Sequence, residues 1–176
     1  MSDDTIRVLQ HYRHDLMNRL QIVQGYLGMG KADKAEDKLS ETLRHYNEER
    51  KLMSLNMPAF MLWIIGFNHS YENFRLTYKI SSEHRDLQHL DSILLERCQY
   101  IVGICKDVLD SQILYDTKLE LEISADSPIK ATLLIESESN ESVQEIEAIK
   151  NRNESLEIDI DNTADGIIFG FSVPCQ

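Results

Sequence analysis

Apolar residues in the first 57 positions recur with the spacing of two helices. In the first helix they fall three, four or seven residues apart, at Leu9, Leu16, Leu20, Val23 and Leu27. The second helix has similar spacing at Leu39, Leu43, Tyr46, Met53 and Met57. Such spacing aligns apolar side chains along one face of each helix. Between the helices lies Gly28-Met29-Gly30, where a glycine can supply the left-handed residue that ends a helix, so the pattern predicts an antiparallel helical hairpin.

Two helices alone cannot cover both apolar faces of such a hairpin. An antiparallel pair joined by a short loop leaves open sides against which a second hairpin can pack. We therefore expect a homodimer in which two hairpins form a four-helix bundle.

The pattern changes at Pro58, because the residue before a proline is pushed away from helical geometry. A short buried helix is predicted at Ala59–Tyr71, and Asp91 is expected to cap a further helix that runs to about Gln112. A weaker helix is predicted at Ser142–Lys150. Strands are predicted at Phe74–Ile80, Leu119–Ile123, Lys130–Glu136, Leu156–Ile160 and Gly166–Val173. The fold class is thus α+β, with a hairpin domain over residues 1–57 and a second domain over residues 58–176.

Composition limits the classes of partner. The chain has 176 residues, 42% of them apolar, which is enough to bury a real core. Its longest apolar stretch, Ala59–Phe67, is far shorter than the roughly 20 residues of a membrane-spanning helix, so we expect a cytoplasmic protein without membrane contact. The net charge of −12 opposes a phosphate backbone and argues against nucleic-acid partners.

The charge is unevenly distributed. Residues 1–57 hold nine Lys or Arg and nine Asp or Glu, whereas residues 58–176 hold nine against twenty-one. The hairpin is therefore expected to repel an acidic partner surface far less than the second domain does.

Metal and disulfide patterns do not stand out. Cys98, Cys105 and Cys175 form no Cys-x-x-Cys pair. His11 and His14 are three residues apart, but no third ligand has suitable spacing, and zinc sites usually need three or four. We therefore predict no metal ligands.

The candidate site lies in the first helix, in the segment Arg13-His14-Asp15-Leu16-Met17-Asn18. At about 100° per residue, His14 lies about 160° from Leu16 and so opposite the apolar face. The residues that share its face are Arg7, Gln10, Asn18, Gln21 and Gly25. A stripe without large apolar residues predicts that His14 is exposed to solvent.

An exposed imidazole is largely neutral near pH 7 and presents a nucleophilic ring nitrogen, which suits phosphoryl transfer. Asp15 can bond the other ring nitrogen, and Asn18 can hydrogen-bond the ring or an incoming phosphoryl group. Arg13 and Arg19 can offset phosphoryl charge. The same residues also fit an ordinary polar surface, so the geometry alone leaves both interpretations open.

Residues 12–22, Tyr-Arg-His-Asp-Leu-Met-Asn-Arg-Leu-Gln-Ile, followed by Gly25 and Leu27, resemble the histidine box of phosphorelay proteins. The specific resemblance is to the sporulation initiation phosphotransferase B family of endospore-forming bacteria. Chain length, the hairpin with its glycine-containing turn and the second domain agree with that family. By this resemblance the second domain is an α/β sandwich similar to a degenerate histidine-kinase ATP-binding domain.

The resemblance implies a phosphotransferase that acts in the control of sporulation initiation. His14 would take a phosphoryl group from the aspartate of one response regulator and pass it, as phosphohistidine, to another. Asp15 and Asn18 are expected to assist this transfer. The residues expected to bind the partner or the phosphoryl group are Arg7, Gln10, Arg13, Arg19 and Gln21. The regulators would supply Mg²⁺, so the chain itself would need no cofactor.

Two alternatives stay open. A similar Arg-His-Asp-x-x-Asn box occurs in sensor kinases of the citrate and dicarboxylate type, whose second domain binds ATP. Here Asp107 stands where their metal-binding asparagine is expected, and Glu136–Asn140 has no glycine where they carry a glycine-rich loop. Asp165-Gly166 is a weak match to the later glycine loop of these kinases, and a hairpin turn explains it better. The other alternative is a dimerising adaptor that binds regulators without accepting phosphate.

Overall fold

The computed structural model describes residues 2–82, 86–124, 127–137, 141–151 and 157–174. Within these ranges the helices are α1 (Ser2–Gly28), α2 (Ala32–Met53), α3 (Pro58–Ser70), α4 (Asp91–Val108) and α5 (Glu141–Lys150). The strands are β1 (Phe74–Ser82), β2 (Tyr115–Ile123), β3 (Ile129–Ile135), β4 (Asp159–Thr163) and β5 (Gly166–Val173), and a short 3-10 helix spans Gln88–Leu90. No helix in these ranges has the length and apolar character needed to cross a membrane.

The turn between α1 and α2 closes on Gly30, whose φ of 69° lies in the left-handed region. The Lys31 amide donates to the Tyr26 carbonyl at 2.9 Å, and the Gly30 amide donates to the Leu27 carbonyl at 3.0 Å. These bonds satisfy carbonyls that the end of a helix leaves free. The prediction that a glycine ends the first helix is therefore confirmed.

The sheet has the strand order β1-β2-β3-β5-β4. Strands β1 and β2 are parallel, whereas the other neighbouring pairs are antiparallel. A parallel pair needs a crossover connection, and α4 lies within it. Strand β2 buries every second residue, as expected of a sheet with one face on helices and one in solvent. The helical N-terminal region and this mixed sheet confirm the predicted α+β class.

The core lies between the sheet and the helices α3 and α4. Among its fully buried side chains are Phe60, Phe67, Leu94, Ile101, Leu119, Leu133 and Phe169. The hairpin turn expected at Asp165-Gly166 is present between β4 and β5.

Asp91 has a different role from the predicted one. Its carboxylate does not cap its own helix. Instead, the Ala59 amide donates to Oδ2 at 2.9 Å and the Phe60 amide donates to Oδ1 at 2.7 Å, both in the first turn of α3. The prediction was wrong because the helix that needs an acceptor lies about thirty residues earlier and is brought close only by the fold.

Some element boundaries also differ from the predictions. Helix α4 ends at Val108, because the Asp110 side chain accepts a hydrogen bond from the Gln112 amide at 2.9 Å and holds a turn there. Strand β2 begins at Tyr115 instead of Leu119. Strand β4 lies at Asp159–Thr163, where it pairs with β5, and the predicted start at Leu156 falls outside the described residues.

Helix α1 packs on α2 along a stripe that only partly coincides with the predicted one. Its half-buried residues are Val8, Tyr12, Leu16, Arg19, Val23 and Tyr26, and α2 buries Ala35, Thr42 and Glu49. By contrast, Leu9, Leu20 and Leu27 are 60%, 43% and 58% exposed, and Leu39 and Leu43 of α2 are also exposed. We call these five residues the open apolar face.

Pro58 begins α3 at a position where its missing amide costs no helical hydrogen bond. Helix α3 packs on α4 and also reaches the hairpin, since Gly66 lies beside Val8 of α1. The division into residues 1–57 and 58–176 therefore stays a prediction.

Candidate functional site

His14 lies near the middle of α1 with its side chain 69% exposed. The Asn18 Nδ2 atom, one helical turn further on, lies 3.2 Å from His14 Nδ1. The Asp15 Oδ1 atom lies 3.5 Å from the same ring nitrogen. Both neighbours thus contact Nδ1, and neither of these two contacts uses Nε2.

The two contacts influence which ring nitrogen carries the proton. A carboxylate can only accept, so Asp15 favours the form of His14 that is protonated at Nδ1. When the oxygen of the Asn18 amide faces the ring, it accepts a hydrogen bond from the Nδ1-protonated form. When the NH₂ group faces the ring, it donates to Nδ1 of the Nε2-protonated form. In the Nδ1-protonated form Nε2 keeps its lone pair, so the arrangement can present Nε2 as a nucleophile.

His14 borders a groove of about 640 Å³ between the hairpin and the rest of the fold. Helices α1 and α2 form one wall, which includes Asp15 and His45. The opposite wall comes from the end of α3 and from β1, and its polar residues are Asn68, His69, Glu72, Arg75 and Thr77.

Direct contacts hold the two walls together. The rings of His11 on α1 and His69 on α3 stack with their centroids 3.6 Å apart. At the outer edge of β1, Glu48 Oε2 accepts from the Ile80 amide at 2.8 Å, and Lys51 Nζ donates to the Ile80 carbonyl at 3.3 Å. Within the opposite wall, the Leu76 amide donates to Asn68 Oδ1 at 2.7 Å and joins β1 to α3. The α+β part is therefore braced against the hairpin on the side of His14.

Arg19 is drawn into the hairpin instead of joining His14. Its side chain is 29% exposed, and its Nη1 lies 3.8 Å from Glu41 Oε1 on α2. Lys38 also pairs with Glu41, at 2.8 Å, and its hydrogen bond is the main reason that the pKa of Glu41 is lowered. The charge of Arg19 is thus paired within the hairpin.

A buried polar pair lies beside the groove. Tyr12 Oη donates to Glu49 Oε1 at 2.9 Å, and Glu49 is only 4% exposed. Burial raises the pKa of Glu49, although the bond from Tyr12 opposes that rise. Burial, then the bond to Glu49, raises the pKa of the Tyr12 hydroxyl. The pKa values of both groups therefore lie above their values in water, because the pair is poorly solvated.

The structure brings only some of the predicted site residues together. His14, Asp15 and Asn18 form one cluster, as their spacing on the helix requires. The exposed residues Arg7, Gln10, Arg13 and Gln21 lie along α1, and Arg13 is about 100° around the helix from His14. Sequence reasoning missed the far wall of the groove, because residues 68–77 carry no motif and approach His14 only through the tertiary fold. Within the described ranges, no group of three or more His, Cys, Asp or Glu could hold a metal ion.

Comparison with known proteins defines the class of the hairpin. Residues 1–55 match the model for the alpha-helical domain of SpoOB-type sensor kinases. The helical hairpin described above is therefore a domain of this type, joined to an α+β unit.

A whole-chain comparison gives a relative of the chain. Sporulation initiation phosphotransferase B of Bacillus subtilis (strain 168) is 25% identical over 134 residues, which cover 76% of this chain and 69% of that relative. The chain is similar to the sporulation initiation phosphotransferase B family over most of its length, in agreement with the resemblance seen in the segment around His14. The name of this relative describes a phosphotransferase of sporulation initiation.

Two solved structures are similar at low identity. The blue-light activated histidine kinase of Erythrobacter litoralis EL346 is 12% identical with a TM-score of 0.45, and the match covers 93% of this chain but 59% of that one. The histidine kinase domain from the same protein is 10% identical with a TM-score of 0.46, and the match covers 99% of this chain and 94% of that one.

Proposed function

We propose that His14 carries a phosphoryl group between the aspartates of two response regulators. The observation that carries this proposal is the exposed His14 ring, whose Nδ1 is held by Asp15 and Asn18 at the border of a large groove. Similarity to a relative that is named a phosphotransferase supports it.

In the first step the Nε2 lone pair attacks the phosphorus of a regulator's aspartyl phosphate. The bond between phosphorus and the aspartate oxygen breaks, the carboxylate leaves, and the proton stays on Nδ1, where Asp15 offsets the positive charge. A second regulator's carboxylate then attacks the phosphohistidine and releases neutral His14. Since little covalent chemistry is asked of the chain, its contribution is orientation, which can supply about 7–11 kcal/mol of barrier reduction for well-placed groups.

The supporting residues have distinct parts. Asn18 hydrogen-bonds the ring or the incoming phosphoryl group, whereas Arg7, Gln10, Arg13 and Gln21 offer polar contacts to the docked regulator along α1. Arg19 acts at a distance, because it is paired with Glu41. Mg²⁺ belongs to the acidic pocket of the regulator, and the chain contributes no cofactor of its own.

The functional unit is a homodimer in which two hairpins cover each other's open apolar faces. Five exposed leucines on adjacent helices are a costly surface to leave in water, since burying apolar area is worth roughly 25 cal/mol per Å². The groove lies on a different side of the hairpin, so the dimer keeps His14 accessible to regulators. The regulators therefore dock on the outer face of the bundle. In this proposal the transfer takes place in the cytoplasm.

A phosphoryl-transfer assay tests the proposal. Mixing the protein with a phosphorylated single-domain regulator is expected to give a phosphoryl adduct that is labile in acid and stable in base. The adduct should be absent in His14→Ala, because the nucleophile is gone. The matched control is His11→Ala, which removes another imidazole from the same helix and should keep the adduct.

The alternatives give different results. Labelling of the wild-type protein by ATP alone would assign it to the sensor kinases. Binding of regulators without any adduct, with equal relay flux in His14→Ala, would make it an adaptor.

A further inference from the structure

We propose that the Tyr12–Glu49 hydrogen bond is a positioning contact that sets the rotation and register of α1 on α2, and thereby the direction in which His14 faces. The bond joins two helices across 37 positions of sequence and lies within the same helical turn as His14. This inference rests on the proposed function, because the direction of His14 matters only if His14 reacts.

The burial of Glu49 is the first part of the argument. Along α2 the positions buried against α1 recur at Ala35, Thr42 and Glu49, and only the last is ionisable. Thr42 donates to the Lys38 carbonyl of its own helix and so makes no demand on α1. Glu49, in contrast, accepts from Tyr12 on the neighbouring helix. A leucine at this position would fill the same space with at least equal stability. The carboxylate therefore contributes a directional hydrogen bond and not additional stability.

Helical geometry connects this bond to His14. His14 lies two positions after Tyr12, which places their side chains about 160° apart around α1. When Tyr12 points at Glu49, His14 therefore points away from α2. An apolar contact tolerates sliding and rotation, whereas a hydrogen bond weakens steeply beyond its short range. Any shift of α1 would leave a carboxylate buried without its donor, which is strongly unfavourable.

A second polar contact supports the same register. Arg19 lies seven residues after Tyr12 on α1, and its partner Glu41 lies eight residues before Glu49 on α2. The second contact therefore lies later along α1 but earlier along α2, as two antiparallel helices require. His14 lies between them, so both of its flanks on α1 are tied to α2.

The neighbours of Glu49 extend this contact toward the groove. Tyr46 packs edge-on against Tyr12 with ring centroids 6.1 Å apart, and His45 lies 6.0 Å from Tyr78 of β1. The position of α1 is thereby fixed relative to the far wall of the groove as well as to α2.

Replacing both partners separates positioning from stability. The variant Tyr12→Phe/Glu49→Leu removes the bond without leaving a buried charge, so its melting temperature is expected to equal or exceed that of the wild type. Its rate of phosphoryl uptake from a saturating phosphorylated regulator is expected to fall about tenfold or more, because a small misplacement of the nucleophile is costly. The regulator concentration at half-saturation should stay unchanged.

Conservative variants provide the controls. Glu49→Gln keeps an oxygen that can accept from Tyr12, and its uptake rate should stay within about twofold of the wild type. Thr42→Val removes a buried hydroxyl from the same stripe and should leave the rate unchanged. A double variant that is folded and takes up phosphate at the wild-type rate would overturn the proposal, as would a Glu49→Gln variant as slow as the double variant.

A distance measurement tests the register without any chemistry. Spin labels on cysteines placed at the exposed positions Gln21 and Arg44, in a Cys175→Ser background, report the position of α1 against α2, because Cys98 and Cys105 are buried. Protein diluted with unlabelled chains is expected to show one distance for the wild type and a shifted or broader distribution for the double variant. Identical distributions would refute the positioning role, whereas absence of phosphoryl uptake in the wild type would refute only the function of His14.

Discussion

The charge of His45 depends on how the chain folds. It is half-buried in the groove wall beside Tyr46 and Tyr78. Burial lowers the pKa of His45, Arg19 lowers it further, and the carboxylates of Asp15 and Glu41 partly oppose these effects. The fold therefore favours a neutral ring at this position.

This lowered pKa predicts a pH dependence of stability. The unfolded chain binds the His45 proton more strongly than the folded chain, so folding loses stability as the pH falls below the unfolded value near 6.5. Replacing His45 by Gln should reduce the loss of melting temperature between about pH 7.5 and pH 5.5, measured by calorimetry.

The exposed His89 provides the matched control for this experiment. The His89→Gln profile measures the effect of removing an exposed imidazole, and the His45→Gln profile is expected to be flatter than it. A His45→Gln profile that runs parallel to the wild type would show that His45 does not carry the effect.

The environment of a single residue could be predicted from the sequence where it depends on the geometry of one helix alone. The separation of His14 from Leu16 around α1 needs only the helical repeat, and the ring is exposed as that repeat predicts. His69 and Arg75, on the far wall, could not be assigned because their nearness to His14 depends on how α3 and β1 pack. Glu49 could not be assigned either, since a glutamate in a charged helix gives no local signal of burial.

The N-terminus of α3 depends on another element for its hydrogen bonds. Its first residue is Pro58, and the next two amides donate to the two oxygens of Asp91. A carboxylate at a helix N-terminus also interacts favourably with the helix dipole. The contact joins α3 to the start of α4, the two helices that cover the sheet.

Loss of this carboxylate should destabilise the protein. Asp91→Ala leaves two amides of a largely buried turn without an acceptor, and we expect the free energy of unfolding to fall by about 1–3 kcal/mol. Urea unfolding followed by circular dichroism measures the change. Asp110→Ala removes a carboxylate that also accepts from a backbone amide but in an exposed turn, and should cost no more than about 0.5 kcal/mol. Equal losses in the two variants would contradict the importance of burial at Asp91.

The elements themselves were predicted more reliably than their ends. Alternation placed β5 at its observed residues, because an antiparallel strand in the sheet shows a clear period of two. The predicted ends of α4 and of β4 were wrong, since a turn at Asp110 and pairing with β5 as far as Thr163 decide them. The turn and the strand pairing both involve residues outside the periodic segment from which each element was predicted.

At the scale of the whole molecule, the hairpin has two distinct sides. The open apolar face carries Leu9, Leu20, Leu27, Leu39 and Leu43, and the groove with His14 lies on another side. Under the proposed function the first side joins two copies and the second receives the regulators. The two surfaces can therefore be altered independently.

Charged substitutions on the open apolar face should separate the copies. In Leu20→Glu/Leu43→Glu, assembly would bury unpaired carboxylates, so we expect a monomer at micromolar concentration where the wild type is a dimer. Sedimentation velocity distinguishes the two states. The control Gln21→Glu adds one charge at an exposed position about 100° around α1 from Leu20, outside the open apolar face, and should stay dimeric. A wild-type monomer under these conditions would rule out the bundle.

The hairpin and α3 also cover the outer edge of β1, one of the two edge strands of the sheet. An edge strand with free amides and carbonyls is a template on which another chain can add a strand. Glu48 and Lys51 of α2 occupy this edge at Ile80, and Asn68 of α3 occupies it at Leu76. Cutting the chain at Pro58 would remove the first two and open half of the edge. The hairpin is thus also a cover for part of one edge of the sheet, where it opposes the addition of a strand from another chain.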